Sequence, residues 1–464
     1  MSVVRRAGHL GMNENKQNRK LFGTDGVRGV ANLDLTPSLA YRLGRCVVHA
    51  FYPPNVRPRV LVARDTRMSG DLIEWSFGAG VMSAGGDLHR LDVFPTGALA
   101  WLTRKEEYLI GAMISASHNP AEDNGIKFFN ADGYKVTREQ EELIEQIYWH
   151  EQQEIDLAVN SRVGCSVERL DLKERYLDAI AAQFSDVKFD LKVVMDCAFG
   201  ASYEAAPKLF RKLGFEVIDI HSSREGERIN VDCGSTNLKP LQELVLEHKA
   251  DFGIGFDGDA DRAKLVCEKG SEVNGDHMIG MWADYLLKGG DGKQTRFVGT
   301  ILSNTSLELE IASRGGQLLR SDVGDSNVLK LMLKEGARIG GEQSGHMIFL
   351  DHTTTGDGLV TALKVAELIK KSSKPLSKLA AVIDPFPQIE INIETQHKDF
   401  WLTDEPIQEE ISRVDKALEG RGRLLVRPSG TQPLLRLMLE ARDPGLARSL
   451  GEELRDKITQ RLPK

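Results

Sequence analysis

The sequence predicts an α/β protein of several domains, and three observations carry that prediction. At 464 residues the chain exceeds what one hydrophobic core organises, and length alone suggests about three domains. A strand–helix–glycine–strand unit occurs three times at similar intervals, the mark of a repeated βαβ layer. After about residue 383 the pattern changes to an alternating strand and an acidic helix, which read as a small α+β domain.

The first unit follows an amphipathic helix near Ser38 to Val48. It comprises a strand at Arg59 to Ala63, a helix at Asp71 to Ala84, Gly85-Gly86 and a strand at Asp87 to Val93. The second has a strand at Lys192 to Met195, a helix near Tyr203 to Leu213, Gly214, and a strand from Phe215 to Ile220. The third runs from Arg296 to Val298 through a helix near Leu307 to Ser313, Gly315-Gly316, and Gln317 to Leu319. Glycine after each helix is the left-handed stop that returns the chain to its sheet. Domains are expected at 20–165, 166–270, 271–382 and 383–464, preceded by a tail at 1–19 for which Met12 is an alternative start.

Composition narrows the partners. A 41% hydrophobic and 28% charged chain is ordinary for a soluble globular protein. The net charge of -8 argues against nucleic acid or an anionic membrane. No apolar run approaches the roughly 20 residues that span a bilayer, and the N-terminal residues lack the apolar centre of a secretory signal. Five cysteines without CxxC spacing indicate neither a zinc site nor a disulfide framework, so the expected compartment is the reducing cytoplasm.

Five polar stretches carry chemistry. The apolar strand Leu109 to Ile114 stops at Ser115-Ala-Ser117-His118-Asn119-Pro120, and Asn124-Gly125 turns the chain into Ile126-Lys127-Phe128-Phe129. Such a turn presents Ser117 outward, with His118 and Lys127 close by: the parts of an activated nucleophile or phosphate carrier, or of an ordinary serine-rich turn. Near the start, Gly23-Thr24-Asp25-Gly26-Val27-Arg28-Gly29 allows a curl with exposed amides beside a guanidinium, or a glycine-rich hairpin. Asp257, Asp259 and Asp261 alternate in the loop after the strand Phe252 to Phe256. Their mutual repulsion calls for a hard divalent cation, with Mg²⁺ favoured because three carboxylates leave coordination open for a phosphate oxygen. An EF-hand is excluded, since Arg262 stands where its glycine would be.

Glu342 and Ser344, in Gly340-Gly-Glu-Gln-Ser-Gly-His346, suit the hydroxyls of a polyol, a polar turn being the alternative. Arg427-Pro-Ser429-Gly430-Thr431 offers a guanidinium, hydroxyls and amides to a dianionic phosphate, with ordinary turn chemistry as its alternative. Taken in chain order, these loops describe phosphoryl transfer on a sugar phosphate.

The combination SASHNP, DGDADR, GEQSGH and RPSGT resembles the α-D-phosphohexomutase superfamily from about Leu21 to Leu439, and within it the bacterial branch acting on glucosamine phosphate. GTDGVRG, Gln343 and the stretch FLDHTTTGDG point to that branch. The resemblance implies four domains around a central cleft, the first three sharing an α/β mixed-sheet fold. It implies a phosphoserine at Ser117, Mg²⁺ held by Ser117, Asp257, Asp259 and Asp261, and sugar contacts from Glu342, Ser344 and His346. It further implies a phosphate clamp at Arg427, Ser429, Gly430 and Thr431, active-site roles for Arg28 and Arg262, and proton transfer by His118 or Lys127.

The implied reaction interconverts glucosamine 6-phosphate and glucosamine 1-phosphate through a glucosamine 1,6-bisphosphate. The implied partner is a small hexosamine phosphate, and a homodimer is left open. Phosphomannomutase/phosphoglucomutase activity and a non-catalytic phosphosugar-binding regulator are the alternatives. Asp322-Val-Gly-Asp-Ser326-Asn327 stands where the family has Lys-Val-Gly-Asp-Arg-Tyr, Gln432 replaces the acid of GTEP, and Thr96-Gly97 replaces part of PTP.

Overall fold

The computed structural model describes residues 20–23, 25–52, 56–150, 157–289, 295–428 and 433–463, built on four sheets. The first contains β1 (Val27–Val30), β2 (Arg59–Arg64), β3 (Asp87–Val93), β4 (Ile110–Ile114), β5 (Asp123–Asn130) and β6 (Ser166–Glu168), in the order β1-β5-β4-β2-β3-β6. The second contains β7 (Lys192–Asp196), β8 (Glu216–Ile220), β9 (Phe252–Phe256), β10 (Ala263–Cys267) and β11 (Glu272–Val273), ordered β11-β10-β9-β7-β8. The third contains β12 (Arg296–Thr300), β13 (Gln317–Ser321), β14 (Ile339–Gly341) and β15 (Met347–Phe349), ordered β13-β12-β14-β15. The fourth is β16 (Gln388–Glu394), β17 (Gly422–Pro428) and β18 (Leu434–Ala441), with β18 in the middle. Strand pairing carries the first sheet through Glu168 and the second through Val273, a few residues beyond the breaks at 165 and 270 read from the sequence.

The three strand–helix–strand units are present, and each strand pair in them is parallel: β2 with β3, β7 with β8, β12 with β13. Gly85, Gly214 and Gly315 follow the helices at φ +89°, +92° and +80°, where a Cβ is strained. The sheets are nevertheless mixed. To each parallel pair the chain adds an antiparallel one, β4 with β5, β9 with β10 and β14 with β15. Those added turns hold the candidate residues: Ser117 lies between β4 and β5, Asp257 to Arg262 between β9 and β10, and Glu342 to His346 between β14 and β15. In the fourth sheet β17 and β18 are also antiparallel, and Arg427 is the next-to-last residue of β17.

Burial separates the first three domains from the last. One apolar core runs through all three, taking Leu61 and Phe94 from the first, Phe252 from the second, and Phe297 and Leu359 from the third. Residues of opposite parity on β2, Val60 and Val62, pack with Phe77 and Ile110 in a second core on the other face of the first sheet. The fourth domain has its own core around Ile393, Ile407, Leu437 and Leu454. It meets the third through the buried carboxylate of Glu440, which accepts from Thr305 N (3.0 Å) and Thr305 Oγ1 (2.6 Å) and pairs with Arg423 (2.9 Å). Arg423 also donates to Ser303 O at 2.7 Å. Among the described residues no helix is long and apolar enough to cross a membrane.

Candidate active site

The β4–β5 turn is held from below by one guanidinium. Arg67, 1% exposed, donates to the carbonyls of Ser117 (2.9 Å), Asn119 (2.8 Å) and Asp123 (2.9 Å), and to that of Pro120. Its charge is balanced by buried Asp65 at 2.9 Å. Asp65 in turn accepts from Ser115 Oγ (2.6 Å), and Ser115 Oγ accepts from Ser117 N (2.8 Å), which fixes Ser117 in the left-handed region at φ +52°. A non-glycine residue in that region is strained, and it persists only where its surroundings over-determine it, as they do here.

The outward presentation expected of Ser117 is corrected: the residue is 1% exposed. The β9–β10 loop lies over it, and Asn230 of the second domain donates to Ser117 O at 2.8 Å. A Cβ on Gly258 would stand 2.6 Å from Ser117 O, so glycine is what allows the two loops to approach this closely.

Across that contact Ser117 Oγ donates to Asp257 Oδ2 at 2.6 Å. Asp257, Asp259 and Asp261 are all buried, and one oxygen from each lies within 4.8 Å of the others. Thr96 Oγ1 donates to Asp259 Oδ2 (2.7 Å), and Lys127 Nζ lies 2.6 Å from Asp259 and 3.1 Å from Asp261. Burial, with Asp261 and Asp259 beside it, pushes the Asp257 carboxyl well above the usual range. Burial alone would raise Asp261 as well, but Lys127 and His346 outweigh it and hold that carboxyl well below. Two buried oxygens, Asp259 Oδ1 and Asp261 Oδ1, have no hydrogen-bond partner. An all-oxygen set with unsatisfied lone pairs fits a hard divalent cation.

Basic groups ring the triad. Burial opposes the charge on Lys127, yet Asp25, Asp259 and Asp261 raise its pKa well above the ordinary value, so it stands as a cation. Arg262 Nε lies 4.0 Å from Asp257 and 3.8 Å from Asp261. Arg28 pairs with Asp25 and donates to Ala116 O at 3.2 Å, next to the serine. Burial, with Arg262 and Arg28 nearby, lowers the His118 imidazole to about 4, leaving it neutral at pH 7 and 3.5 Å from Ser117 Oγ.

A cavity of about 700 Å³ opens beside these groups, lined by His118 and Arg262 on one side and Glu342, Gln343 and Ser344 on the other. Glu342 is oriented by Gly324 N, 2.9 Å from Oε1, and Ser344 Oγ lies 3.4 Å from Oε2. His346 does not line the cavity. It is 2% exposed, between Asp261 (3.6 Å) and Asp325 (3.7 Å), and those carboxylates raise its pKa against the opposing effect of burial. Asp325 also pairs with Lys135, which pairs with Asp25. Asp322 is exposed and is not among the cavity-lining residues. Arg427 lies on β17 opposite Arg436 and does not line the cavity. Thr24, Ser429, Gly430, Thr431 and Gln432 lie outside the described residues.

Arg67, Asn230, Lys135 and Asp325 join the site without being among the residues the sequence motifs single out. Asp65-Thr-Arg67 directly after a strand is a legible signal for a buried acid–base pair. Asn230 had none, because its partner lies 113 residues away.

Known proteins match the chain domain by domain. The four domains described for phosphoglucomutase/phosphomannomutase match in order: α/β/α domain I over residues 19–155, domain II over 174–270, domain III over 274–386 and the C-terminal domain over 390–457. A phosphoglucosamine mutase of Caldanaerobacter subterraneus subsp. tengcongensis is 44% identical over 445 residues, covering 96% of this chain and 99% of that one. One from Clostridioides difficile is 45% identical over 447 residues, covering 96% and 100%. Among solved structures, a phosphoglucomutase/phosphomannomutase family protein from Burkholderia thailandensis superposes with a TM-score of 0.80 at 22% identity, covering 95% of this chain and 97% of that one. Aspergillus fumigatus N-acetylphosphoglucosamine mutase, solved with GlcNAc-6P and magnesium, gives 0.68 at 16% identity, covering 96% and 97%. With every domain matched in sequence order, the chain belongs to the phosphoglucomutase/phosphomannomutase family, in the α-D-phosphohexomutase superfamily.

Proposed function

We propose that this enzyme interconverts glucosamine 6-phosphate and glucosamine 1-phosphate, with Ser117 carrying the phosphoryl group between turnovers. The observation that carries the reading is the 2.6 Å contact of Ser117 Oγ with Asp257, inside a buried carboxylate triad whose neighbours His118 and Arg262 line a cavity together with Glu342 and Ser344. Relatives named phosphoglucosamine mutase at 44 and 45% identity support the choice of sugar.

A phosphorylated Ser117 adds roughly -1.5 to -2 charge at a buried point. Arg28, Arg262 and Lys127 offset part of it, and Asp257, Asp259 and Asp261 would hold Mg²⁺ together with the serine oxygen. When bound there, Mg²⁺ supplies positive charge to the phosphoryl oxygens as negative charge develops on them. Ser117 Oγ is the leaving atom as a sugar hydroxyl attacks phosphorus, which gives glucosamine 1,6-bisphosphate.

The hydroxyl proton passes to His118, whose neutral imidazole can accept it and hand it to the departing Ser117 Oγ 3.5 Å away; Lys127 serves as a fixed cation rather than a base. The bisphosphate turns over, Ser117 Oγ takes back the other phosphoryl group, and the sugar monophosphate leaves. Glu342 and Ser344 engage the sugar hydroxyls, and Arg427 with Ser429, Gly430 and Thr431 holds the phosphate that is not reacting. His346 acts from behind, pairing with Asp261. The substrate is a free small molecule, and the reaction belongs in the cytoplasm.

Side-by-side assay of glucosamine, glucose and mannose 6-phosphates with Mg²⁺ tests the reading. Glucosamine 6-phosphate is expected to exceed the others in kcat/KM by at least ~10-fold, the scale one recognised polar substituent supplies. Equal or reversed values would favour phosphomannomutase/phosphoglucomutase activity, and no turnover of any sugar would favour a phosphosugar-binding regulator.

A further inference from the structure

A second group of metal-ligating side chains lies in the second domain, outside the carboxylate triad. Asp196 ends β7, His221 follows the last residue of β8, and Cys233 precedes the turn Gly234–Thr236. One ligand atom from each, a carboxylate oxygen, an imidazole nitrogen and a thiol sulfur, lies within 4.8 Å of the other two. Asp196 and Cys233 are fully buried, whereas the His221 side chain is 23% exposed and gives the cluster a path to solvent.

Several features aim these atoms at one point. Asp196 is fixed by two backbone donors, Ala198 N to Oδ1 and Gly234 N to Oδ2, each at 2.9 Å. His221 Nδ1 stands 3.0 Å from Asp196 Oδ1, yet it is shielded from solvent and makes no hydrogen bond. That approach forms an ion pair if the imidazole is protonated, and it also brings a nitrogen and a carboxylate oxygen close enough to share an ion. The Phe199 ring packs 4.9 Å from the imidazole, and Phe199 N donates to His221 O at 2.8 Å. Five non-glycine residues of these loops, Ala198, Phe199, His221, Asn230 and Asp232, hold positive φ between 49° and 62°. Strain concentrated in this way marks sites whose geometry is imposed rather than relaxed.

An ion pair between Asp196 and His221 would leave the sulfur unexplained. Thiolate, imidazole and carboxylate together form a donor set for a borderline-soft ion in tetrahedral geometry, with water in the fourth position. Mg²⁺, which prefers oxygen, is better served by the aspartate triad. We propose that Asp196, His221 and Cys233 bind a zinc-class divalent cation at a site separate from the triad. On binding, the Cys233 S–H bond breaks as the sulfur–metal bond forms, the proton leaves to solvent, and His221 contributes its Nδ1 lone pair. The ion would staple the ends of β7 and β8 to the loop bearing Asn230, the residue that caps the carbonyl of Ser117.

The test is a Co²⁺ titration of the chelator-treated full chain in excess Mg²⁺, followed by absorption. One equivalent of Co²⁺ should produce an intense near-ultraviolet thiolate-to-cobalt band with visible bands of tetrahedral type, and Zn²⁺ should bleach both. Cys233→Ser and His221→Asn should each abolish the thiolate band while Mg²⁺-supported turnover is unchanged. Absence of the band in the natural protein, or its survival in the variants, would overturn the proposal. Should Cys233→Ser not fold, His221→Asn decides alone: with the circular dichroism spectrum unchanged, a lost band supports the site and a retained band refutes it.

Discussion

The antiparallel pair β4–β5, whose turn carries Ser117, and the antiparallel pair β17–β18, whose first strand carries Arg427, are held in different ways. The first is collared by Arg67, capped by Asn230 and overlaid by Gly258, in a block whose three domains share one apolar core. The second belongs to a domain with its own core, and Glu440 and Arg423 make polar contacts from it to the block. Tight packing preorganises, whereas a polar joint between separate cores permits domain motion. Under the proposed function, the contrast would place the transferring phosphoryl group in the block and the grip on a turning intermediate in the last domain.

Three substitutions probe that contrast. Ser117→Ala, which removes the proposed carrier oxygen, should lower turnover by at least ~10³-fold; near-normal activity would remove Ser117 from that role. Gly258→Ala comes next. Its Cβ meets Ser117 O at 2.6 Å, so the loops must part, and a misplacement on the ångström scale costs on the order of 10²-fold in kcat. An unchanged kcat would show that the loop contact is not held as tightly as its geometry suggests. Arg427→Ala should have the smallest effect, weakening binding by about 1.5–3 kcal/mol through KM, the scale of a charged hydrogen bond. If Arg427→Ala instead lowered kcat as severely as Ser117→Ala, the division between block and clamp would fail.

Much of this was legible in the sequence, and the reasons are local. The three strand–helix–glycine–strand units could be read because hydrophobic period and a left-handed glycine are encoded within some 30 residues. The Asp257, Asp259, Asp261 loop could be read because like charges packed that closely require a cation. Ser117 was expected to point outward, since the loop that buries it lies 140 residues away in the chain. His346 was grouped with Glu342 and Ser344 because all three share one turn. Its partner Asp261 comes from another domain and draws it behind the triad. The Asp196, His221 and Cys233 cluster was invisible for the same reason: its members are up to 37 residues apart and follow no ligand spacing.

The most direct measurement is intact mass of the purified protein before and after exchange with an isotopically labelled hexose 1,6-bisphosphate. One phosphate per chain, localised to Ser117, exchanging with the label in the presence of Mg²⁺ and lost in Ser117→Ala, is the result this account predicts. Turnover of the sugar phosphate by a protein that never carries phosphate on Ser117 would contradict it.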